Sequence, residues 1–268
     1  MPNFTPNPID LSGVSNARDY AGYPTKNGIV KPKKLLRGAH LHRMTESDQN
    51  KLKNEYNVVH IIDLRTSIEI EQHPNLPLDC ANTYHFNVVG DDSMLSANPE
   101  EMLKIIMKSH DPDNYLSSLY QDFVQSQSAQ SAYSALFDVL LNETEHATYW
   151  HCTAGKDRTG FAGALILCAL GADYDLVMAD FLLSNVYRKS ANAAIMTRIR
   201  ASKDENDQSL SEAALNAIQA ALTVKQEYLE NAFDLIKTEY GGMKHYLDDV
   251  LGMTPEKCAS LRTIYLDS

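Results

Sequence analysis

Residues 151–160 read His-Cys-Thr-Ala-Gly-Lys-Asp-Arg-Thr-Gly, and they hold the strongest candidates for chemistry in the chain. Cys152 and Arg158 are separated by five residues, between an apolar run that favours a strand and one that favours a helix. A loop in that setting presents backbone N–H groups and the positive end of a helix dipole, which together bind phosphate. The spacing therefore predicts a phosphate-binding loop that begins with a cysteine.

The same loop predicts a nucleophile. A cysteine at a helix N-terminus beside Lys156 and Arg158 is favoured in its ionised, reactive form. Arg158 also offers a planar fork of donors that can grip two phosphate oxygens at once. Gly155 suits a tight loop, and Thr159 can place a hydroxyl near the sulfur of Cys152 or near a leaving oxygen.

These residues resemble the signature of the cysteine-dependent protein tyrosine phosphatases. The pair Lys156-Asp157 resembles, within that superfamily, the atypical bacterial and fungal tyrosine/serine phosphatase family. Four further segments resemble that family in the same order along the chain. They are Asn16–Asp19 with Gly22, Leu36–Ala39, Asp63–Thr66 with Glu69, and Tyr240–Gly242 followed by Tyr246-Leu247. The resemblance implies a hydrolase of phosphotyrosine, with phosphoserine, phosphothreonine and phosphoinositides as further substrates.

The predicted reaction is a two-step displacement. Cys152 attacks phosphorus in line with the ester oxygen, and water then hydrolyses the phosphocysteine. Backbone N–H groups and Arg158 would hold the equatorial oxygens. This chemistry requires no metal and no cofactor. The predicted substrate contacts lie in or near the loop and are Thr153, Ala154, Gly155, Lys156, Thr159 and Arg65.

The sequence offers more than one candidate for the acid that protonates the leaving oxygen. Asp157 lies inside the loop, and the resemblance implies an acid at this position; the alternative is a carboxylate that braces the loop by pairing with Arg65 or another base. Asp91 and Asp92 follow the third predicted strand and form an alternative general-acid loop, or simply a turn. The Trp-Pro-Asp motif of other tyrosine phosphatases is absent from the sequence.

Lys156 bears on the substrate range. Its charge would suit a ring with additional phosphates, which supports the alternative of a phosphatase that prefers phosphoinositides or inositol phosphates. It would otherwise serve only to stabilise the thiolate. Two rivals from other classes are a rhodanese-type sulfurtransferase and a silent phosphate-binding module. The long Cys-x5-Arg-Thr-Gly form favours phosphate over sulfane sulfur.

Supporting roles are predicted for three other residues. His151 braces the loop rather than acting as a base. Arg65 fixes the strand end beneath the loop together with Asp63, or contacts the substrate directly. Cys80 either forms a disulfide with an oxidised Cys152 or is an ordinary thiol.

Length and composition suit one large domain that spans residues 1–268, with 44% hydrophobic residues to fill a core, and the resemblance implies that this is a single phosphatase domain. The net charge of −11 argues against nucleic acid and against broad adhesion to anionic membranes. The sequence shows no apolar run long enough for a membrane span and no secretory leader. We therefore expect a cytoplasmic protein, with secretion by a signal-independent route left open. The sequence does not indicate an oligomeric state.

The pattern along the chain is that of an α/β protein, with a central, mostly parallel sheet flanked by helices and a helical C-terminal part. The predicted strands are Leu35-Leu36, Val58–Leu64, Tyr84–Val89 and Ala147–Cys152. Thr45 is predicted as the N-cap of a helix, with Asp48 reaching back to it. Predicted helices also cover 101–109, 115–141, 159–170, 174–185, 191–199, 211–221, 225–239, 243–251 and 255–265. The insertion 93–130 is predicted as a helical lid over the cleft, or as core helices.

Overall fold

A computed structural model describes residues 4–90, 112–201 and 210–267 of the chain. Its strands are β1 (Asn7–Pro8), β2 (Arg18–Asp19), β3 (Pro24–Thr25), β4 (Gly28–Val30), β5 (Leu35–Gly38), β6 (Val58–Asp63), β7 (Asn82–His85), β8 (Ala147–His151) and β9 (Leu266–Asp267). Six of them form the central sheet, in the order β1-β2-β5-β8-β6-β7. Strands β5, β8, β6 and β7 are parallel, and the two pairings at the β1 edge are antiparallel. The predicted mostly parallel sheet is confirmed.

Eleven α-helices lie in the described ranges. They are α1 (Glu46–Asn50), α2 (Ser67–Gln72), α3 (Pro112–Gln125), α4 (Gln127–Asn142), α5 (Arg158–Leu170), α6 (Tyr174–Tyr187), α7 (Lys189–Ala201), α8 (Glu212–Ala221), α9 (Gln226–Tyr240), α10 (Met243–His245) and α11 (Pro255–Tyr265). Two π-helical turns, Lys51–Glu55 and Tyr246–Val250, continue α1 and α10. No helix in these ranges is long and apolar enough to cross a membrane.

The sheet is covered on both faces. Successive residues of a strand point to opposite faces, and neighbours such as Tyr149 and Trp150 on β8 accordingly fall into two separate apolar clusters. The Trp150 cluster contains α5 and the helices around it, whereas the Tyr149 cluster is closed by the N-terminal segment and by residues around α1. Strand β8 is therefore buried along its whole length, and it delivers its carboxyl end to the centre of the molecule.

Helix α5 is the central helix of the larger cluster. Twelve of its thirteen residues are buried, and α6 and α11 pack against it. This segment has no exposed face. Its run of apolar residues therefore explains why a buried helix follows the Cys152 loop immediately. The helix ends at Gly171, which takes the left-handed conformation of a helix C-cap with φ of 92°.

Several sequence predictions are confirmed and three need correction. The capping box of Thr45 and Asp48 is present. The third strand is β7, Asn82–His85, so most of the predicted run Tyr84–Val89 lies outside the strand. The predicted helix 115–141 is two helices, broken at Ser126, whose side chain caps α4. Helix α2 was not predicted, although Thr66 and Glu69 form a capping box at its start.

The predicted lid lies partly outside the described residues, because the structure describes the insertion 93–130 only from residue 112 onward. In the described part, α3 contributes Leu116, Tyr120 and Phe123 to the main apolar cluster. It packs against α4, α8 and α9. These contacts correspond to the core alternative for α3, and the lid stays a prediction for the remainder.

Candidate active site

Cys152 lies directly after β8, at the carboxyl end of the central parallel strands. Ligands of open parallel sheets bind at this edge. The residue is only 2% exposed, yet it lines a cleft of about 760 Å³ together with five other loop residues, which are Thr153, Ala154, Lys156, Asp157 and Arg158. The structure thus places the predicted nucleophile, Arg158, Asp157 and three of the six predicted substrate contacts in one cleft.

The loop carbonyls face the protein. The Thr153 carbonyl accepts from the backbone N–H of His40 at 3.3 Å. The Gly155 carbonyl accepts from Asn16 Nδ2 at 2.7 Å and from an Arg37 terminal nitrogen at 3.0 Å. The backbone N–H groups of residues 153–157 donate to no acceptor within the described ranges. The loop thus leaves five successive N–H groups without an acceptor in the described ranges, and a run of such groups is an arrangement that binds anions.

Gly155 is required by this loop geometry. Its φ of 67° lies in the left-handed region, and a Cβ at this position would collide with the carbonyl of Gly38 at the end of β5. Only glycine satisfies both conditions. The close approach of the two backbones fixes the loop against the neighbouring strand.

Arg158 begins α5, and its guanidinium is held by Glu69 of α2. The two terminal nitrogens lie 2.6 Å and 2.8 Å from the two carboxylate oxygens, which is a bidentate pair. Thr153 Oγ1 donates to the same carboxylate. Burial alone would raise the pKa of Glu69, but the Arg158 charge and these hydrogen bonds hold it at about 2. Glu69 therefore stays ionised and orients the arginine beside Cys152.

Asp157 faces Lys156 and Tyr120. Lys156 Nζ lies 2.8 Å from Asp157 Oδ2, and the Tyr120 hydroxyl donates to Oδ1 at 3.1 Å. Burial and the charge of Asp157 raise the pKa of Tyr120 well above its usual value, so this hydroxyl remains a donor. Lys156 also reaches the Thr223 carbonyl at 3.5 Å. The partner of Asp157 is thus Lys156 and not Arg65.

Arg65 lies outside the cleft. Its guanidinium is fully buried, pairs with both oxygens of Asp63 and donates to the His73 carbonyl at 2.7 Å. This arrangement matches the bracing alternative, since the donors face the protein and not the substrate. Thr159 is also fully buried and does not line the cleft; its contact with the sulfur or the leaving oxygen stays a prediction. Asp91 and Asp92 lie outside the described residues.

His151 braces the strand end. Its Nδ1 lies 3.1 Å from the Cys152 carbonyl, and its Nε2 lies 3.0 Å from the amide nitrogen of Asn75. Because that amide also donates to Asp63, the arrangement suits a neutral ring that accepts at Nε2. Burial lowers the pKa of His151, partly opposed by Asp63. These contacts fit the predicted bracing role.

Cys80 cannot resolve an oxidised Cys152. Its sulfur lies 3.4 Å from the carbonyl of Val58, at the amino end of β6. Val58 pairs with Ala147 in parallel register, five residues before Cys152, so the two cysteines lie about 15 Å apart along the strand direction. A disulfide needs Cα atoms within about 7 Å. The four cysteines are all free thiols.

Sequence reasoning missed most of the scaffold beneath the loop. Asp180 on α6 is buried, and its carboxylate accepts from Arg18, Arg37, Tyr20 and Tyr23 at 2.8–3.0 Å. Burial would raise the pKa of Asp180, but the two arginines hold it at about 2. The arginines fall in segments that the resemblance marked, whereas Asp180 carries no local signal, because its partners lie more than a hundred residues away in the chain.

Arg188 was also missed. It caps the end of α6, is 6% exposed and lines the cleft. One terminal nitrogen donates to the Ala154 carbonyl at 2.9 Å and to Ser15 Oγ at 3.3 Å. It follows an apolar helix in the sequence, so only the tertiary fold shows that it reaches the loop.

Comparisons with known proteins agree with this geometry. Residues 9–267 match the profile described as "Tyrosine phosphatase family". The "Triple specificity protein phosphatase PtpB" of Mycobacterium tuberculosis is 28% identical over 264 residues, which cover 90% of this chain and 92% of that protein. A "Tyrosine-protein phosphatase" of Nostoc commune is 29% identical over 153 residues, which cover 57% of this chain and 49% of that protein. Because the profile spans nearly the whole chain, the protein belongs to the tyrosine phosphatase family.

Proposed function

We propose that the protein hydrolyses phosphate monoesters of protein tyrosine through a phosphocysteine on Cys152. The observation that carries the proposal is the Cys152 loop, whose carbonyls are bound by the protein while its N–H groups have no acceptor in the described ranges. A tetrahedral phosphate supplies the acceptors that these N–H groups need. Family membership supports the phosphatase over the sulfurtransferase alternative.

The first step forms an S–P bond and breaks the P–O ester bond. The Cys152 thiolate supplies the electron pair, and the leaving oxygen takes a proton as it departs. Arg158, oriented by Glu69, would hold two equatorial oxygens as the charge on the phosphoryl group is redistributed. In the second step water attacks phosphorus and gives a proton to the carboxylate that served as the acid. The S–P bond breaks, and inorganic phosphate leaves with the thiolate and the acid restored.

We propose Asp157 as the acid. Its carboxylate lines the same cleft as Cys152, and Lys156 and Tyr120 hold it at the mouth of the loop. The competing assignment is Asp92 or Asp91. In Asp157→Asn, kcat should fall on the order of 10² to 10⁴-fold for a poor leaving group. The loss should be smaller for an activated aryl phosphate, whose leaving group needs less protonation.

The experiment is a leaving-group series of aryl phosphates on purified protein. Cys152→Ser should abolish turnover of every member. Asp157→Asn should steepen the dependence of kcat on leaving-group acidity, and Asp92→Asn, the matched control, should leave it unchanged. If only Asp92→Asn steepens the dependence of kcat on leaving-group acidity, the acid is Asp92 and not Asp157. Turnover in Cys152→Ser would refute the proposal.

Substrate range and compartment are part of the proposal. A cleft of about 760 Å³ around the loop is open enough for phosphoserine, phosphothreonine and phosphoinositide headgroups, and the name of the Mycobacterium tuberculosis relative includes "triple specificity". A panel of phosphopeptides and phosphoinositides tests this range. Four free thiols, one of them the nucleophile, suit a reducing compartment such as the cytoplasm.

A further inference from the structure

Arg188 differs from the other buried cations around the loop in its charge balance. Arg158 pairs with Glu69, and Lys156 pairs with Asp157. In the same way, Arg18 and Arg37 share the carboxylate of Asp180. Arg188 has no carboxylate within 4.0 Å in the described ranges, although it is among the most buried residues of the cleft wall.

Its hydrogen bonds are also incomplete. One terminal nitrogen binds Ala154 and Ser15, while the buried Nε has no acceptor in the described part of the chain. Burial lowers the pKa of Arg188, and the negative charges of Cys152 and Asp157 oppose this effect. A buried guanidinium with an unused donor therefore lines the same cleft as the proposed nucleophile Cys152 and the proposed acid Asp157.

The position of Arg188 indicates which anion it would bind. It contacts the loop through the Ala154 carbonyl, whereas the function proposed above would place the scissile phosphate on the N–H side of the loop. Arg188 is thus beside the phosphate pocket, next to an apolar wall that includes Ile195 and Leu222. Lys156 is already bound to Asp157 and to the Thr223 carbonyl, and Arg43 and Arg198, which also line the cleft, are exposed to solvent.

We propose that Arg188 forms a second anion subsite, which binds a phosphate or carboxylate carried by the substrate next to the scissile phosphate monoester. The proposal rests on the function proposed above. It makes Arg188 a specificity-determining residue, because its planar fork can bind two oxygens of the second anion. Substrates with such a group are favoured over those with a single phosphate.

The test compares phenyl phosphate with the three isomeric benzene bisphosphates and with 3-carboxyphenyl phosphate. The readout is the ratio of kcat/KM for each doubly anionic substrate to kcat/KM for phenyl phosphate. Arg188→Gln removes the charge and keeps a donor for the Ala154 carbonyl, and Arg188→Lys restores the charge without the fork. Arg200→Gln is the matched control, because Arg200 is exposed on α7 and does not line the cleft.

We expect the wild type to prefer at least one doubly anionic substrate. In Arg188→Gln that preference should fall about tenfold, the order of a lost charge-assisted hydrogen bond, and Arg188→Lys should recover part of it. Arg200→Gln should keep the wild-type ratio. Equal loss on all substrates in Arg188→Gln would show a structural role and overturn the proposal, as would a wild type without any preference.

The same probes separate this proposal from the proposed function. If the wild type fails to hydrolyse phenyl phosphate, the proposed function fails. Equilibrium binding of the bisphosphates and of phenyl phosphate to the wild type and to Arg188→Gln then still tests the subsite. A tighter binding of the bisphosphate that depends on Arg188 supports the subsite, and equal binding refutes it.

Discussion

The pair between Glu69 and Arg158 gives a stability prediction that depends on pH. Its carboxylate is buried and bound by Arg158 on both oxygens. The pKa of Glu69 lies at about 2, against a usual 4.5. Because one pH unit corresponds to about 1.36 kcal/mol, the ionised carboxylate stabilises the fold by about 3 kcal/mol. This agrees with the cost of about 3–5 kcal/mol for breaking a buried ion pair.

The direction of the pH dependence follows from the lowered pKa of Glu69. The contribution of Glu69 is complete above its usual pKa of 4.5 and disappears as the pH falls toward about 2, because the unfolded chain takes up the proton first. In Glu69→Gln the free energy of unfolding should therefore be about 3 kcal/mol lower near pH 7. The difference in unfolding free energy between the wild type and Glu69→Gln should narrow to about 2 kcal/mol near pH 3.5.

Urea unfolding of the wild type and of Glu69→Gln at both pH values measures these differences. Asp63 and Asp180 also have pKa values of about 2, but they are present in both proteins and cancel in the difference. Glu71→Gln is the matched control, because Glu71 is exposed on the same helix α2. The reasoning is refuted if Glu69→Gln is as stable as Glu71→Gln near pH 7, or if the gap does not change with pH.

Two further changes test the scaffold. Asp180→Asn leaves two buried arginines without their carboxylate and should lower the free energy of unfolding by about 3–5 kcal/mol. Asp234→Asn, at an exposed site, is the control and should change the free energy of unfolding little. Equal urea midpoints for the two variants would contradict this prediction. Gly155→Ala places a Cβ against the Gly38 carbonyl and should lower kcat/KM on the order of a hundredfold through a displaced loop. Gly22→Ala has a similar φ of 76° but an open environment, so its kcat/KM should stay close to that of the wild type.

The sequence predicted the parts of the molecule whose signals are local. The Cys152 loop lies in one run of ten residues, and an apolar strand and an apolar helix flank it. The capping box at Thr45 likewise depends on residues three apart. Helix α2 carried the same signal at Thr66 and Glu69, so its omission was a missed pattern and not a limit of the sequence.

The remainder of the site depends on distant contacts. Asp180 and Arg188 meet the loop and its supporting arginines only after α6 has packed against α5. The partner of Asp157 was a similar case, because the sequence offers many bases and the structure selects the neighbouring Lys156. Arg65 was predicted as a substrate contact or a brace, and its burial against Asp63 fits the brace.

The most direct test of the central claim is to identify the residue that carries the phosphoryl group during turnover. The wild-type protein is mixed with an aryl phosphate, quenched in acid within the first turnover and mapped by peptide mass spectrometry. We predict a single phosphorylated peptide, with the added phosphoryl group on the sulfur of Cys152. Turnover without any phosphorylated peptide, or a phosphoryl group on a different residue, would contradict the account.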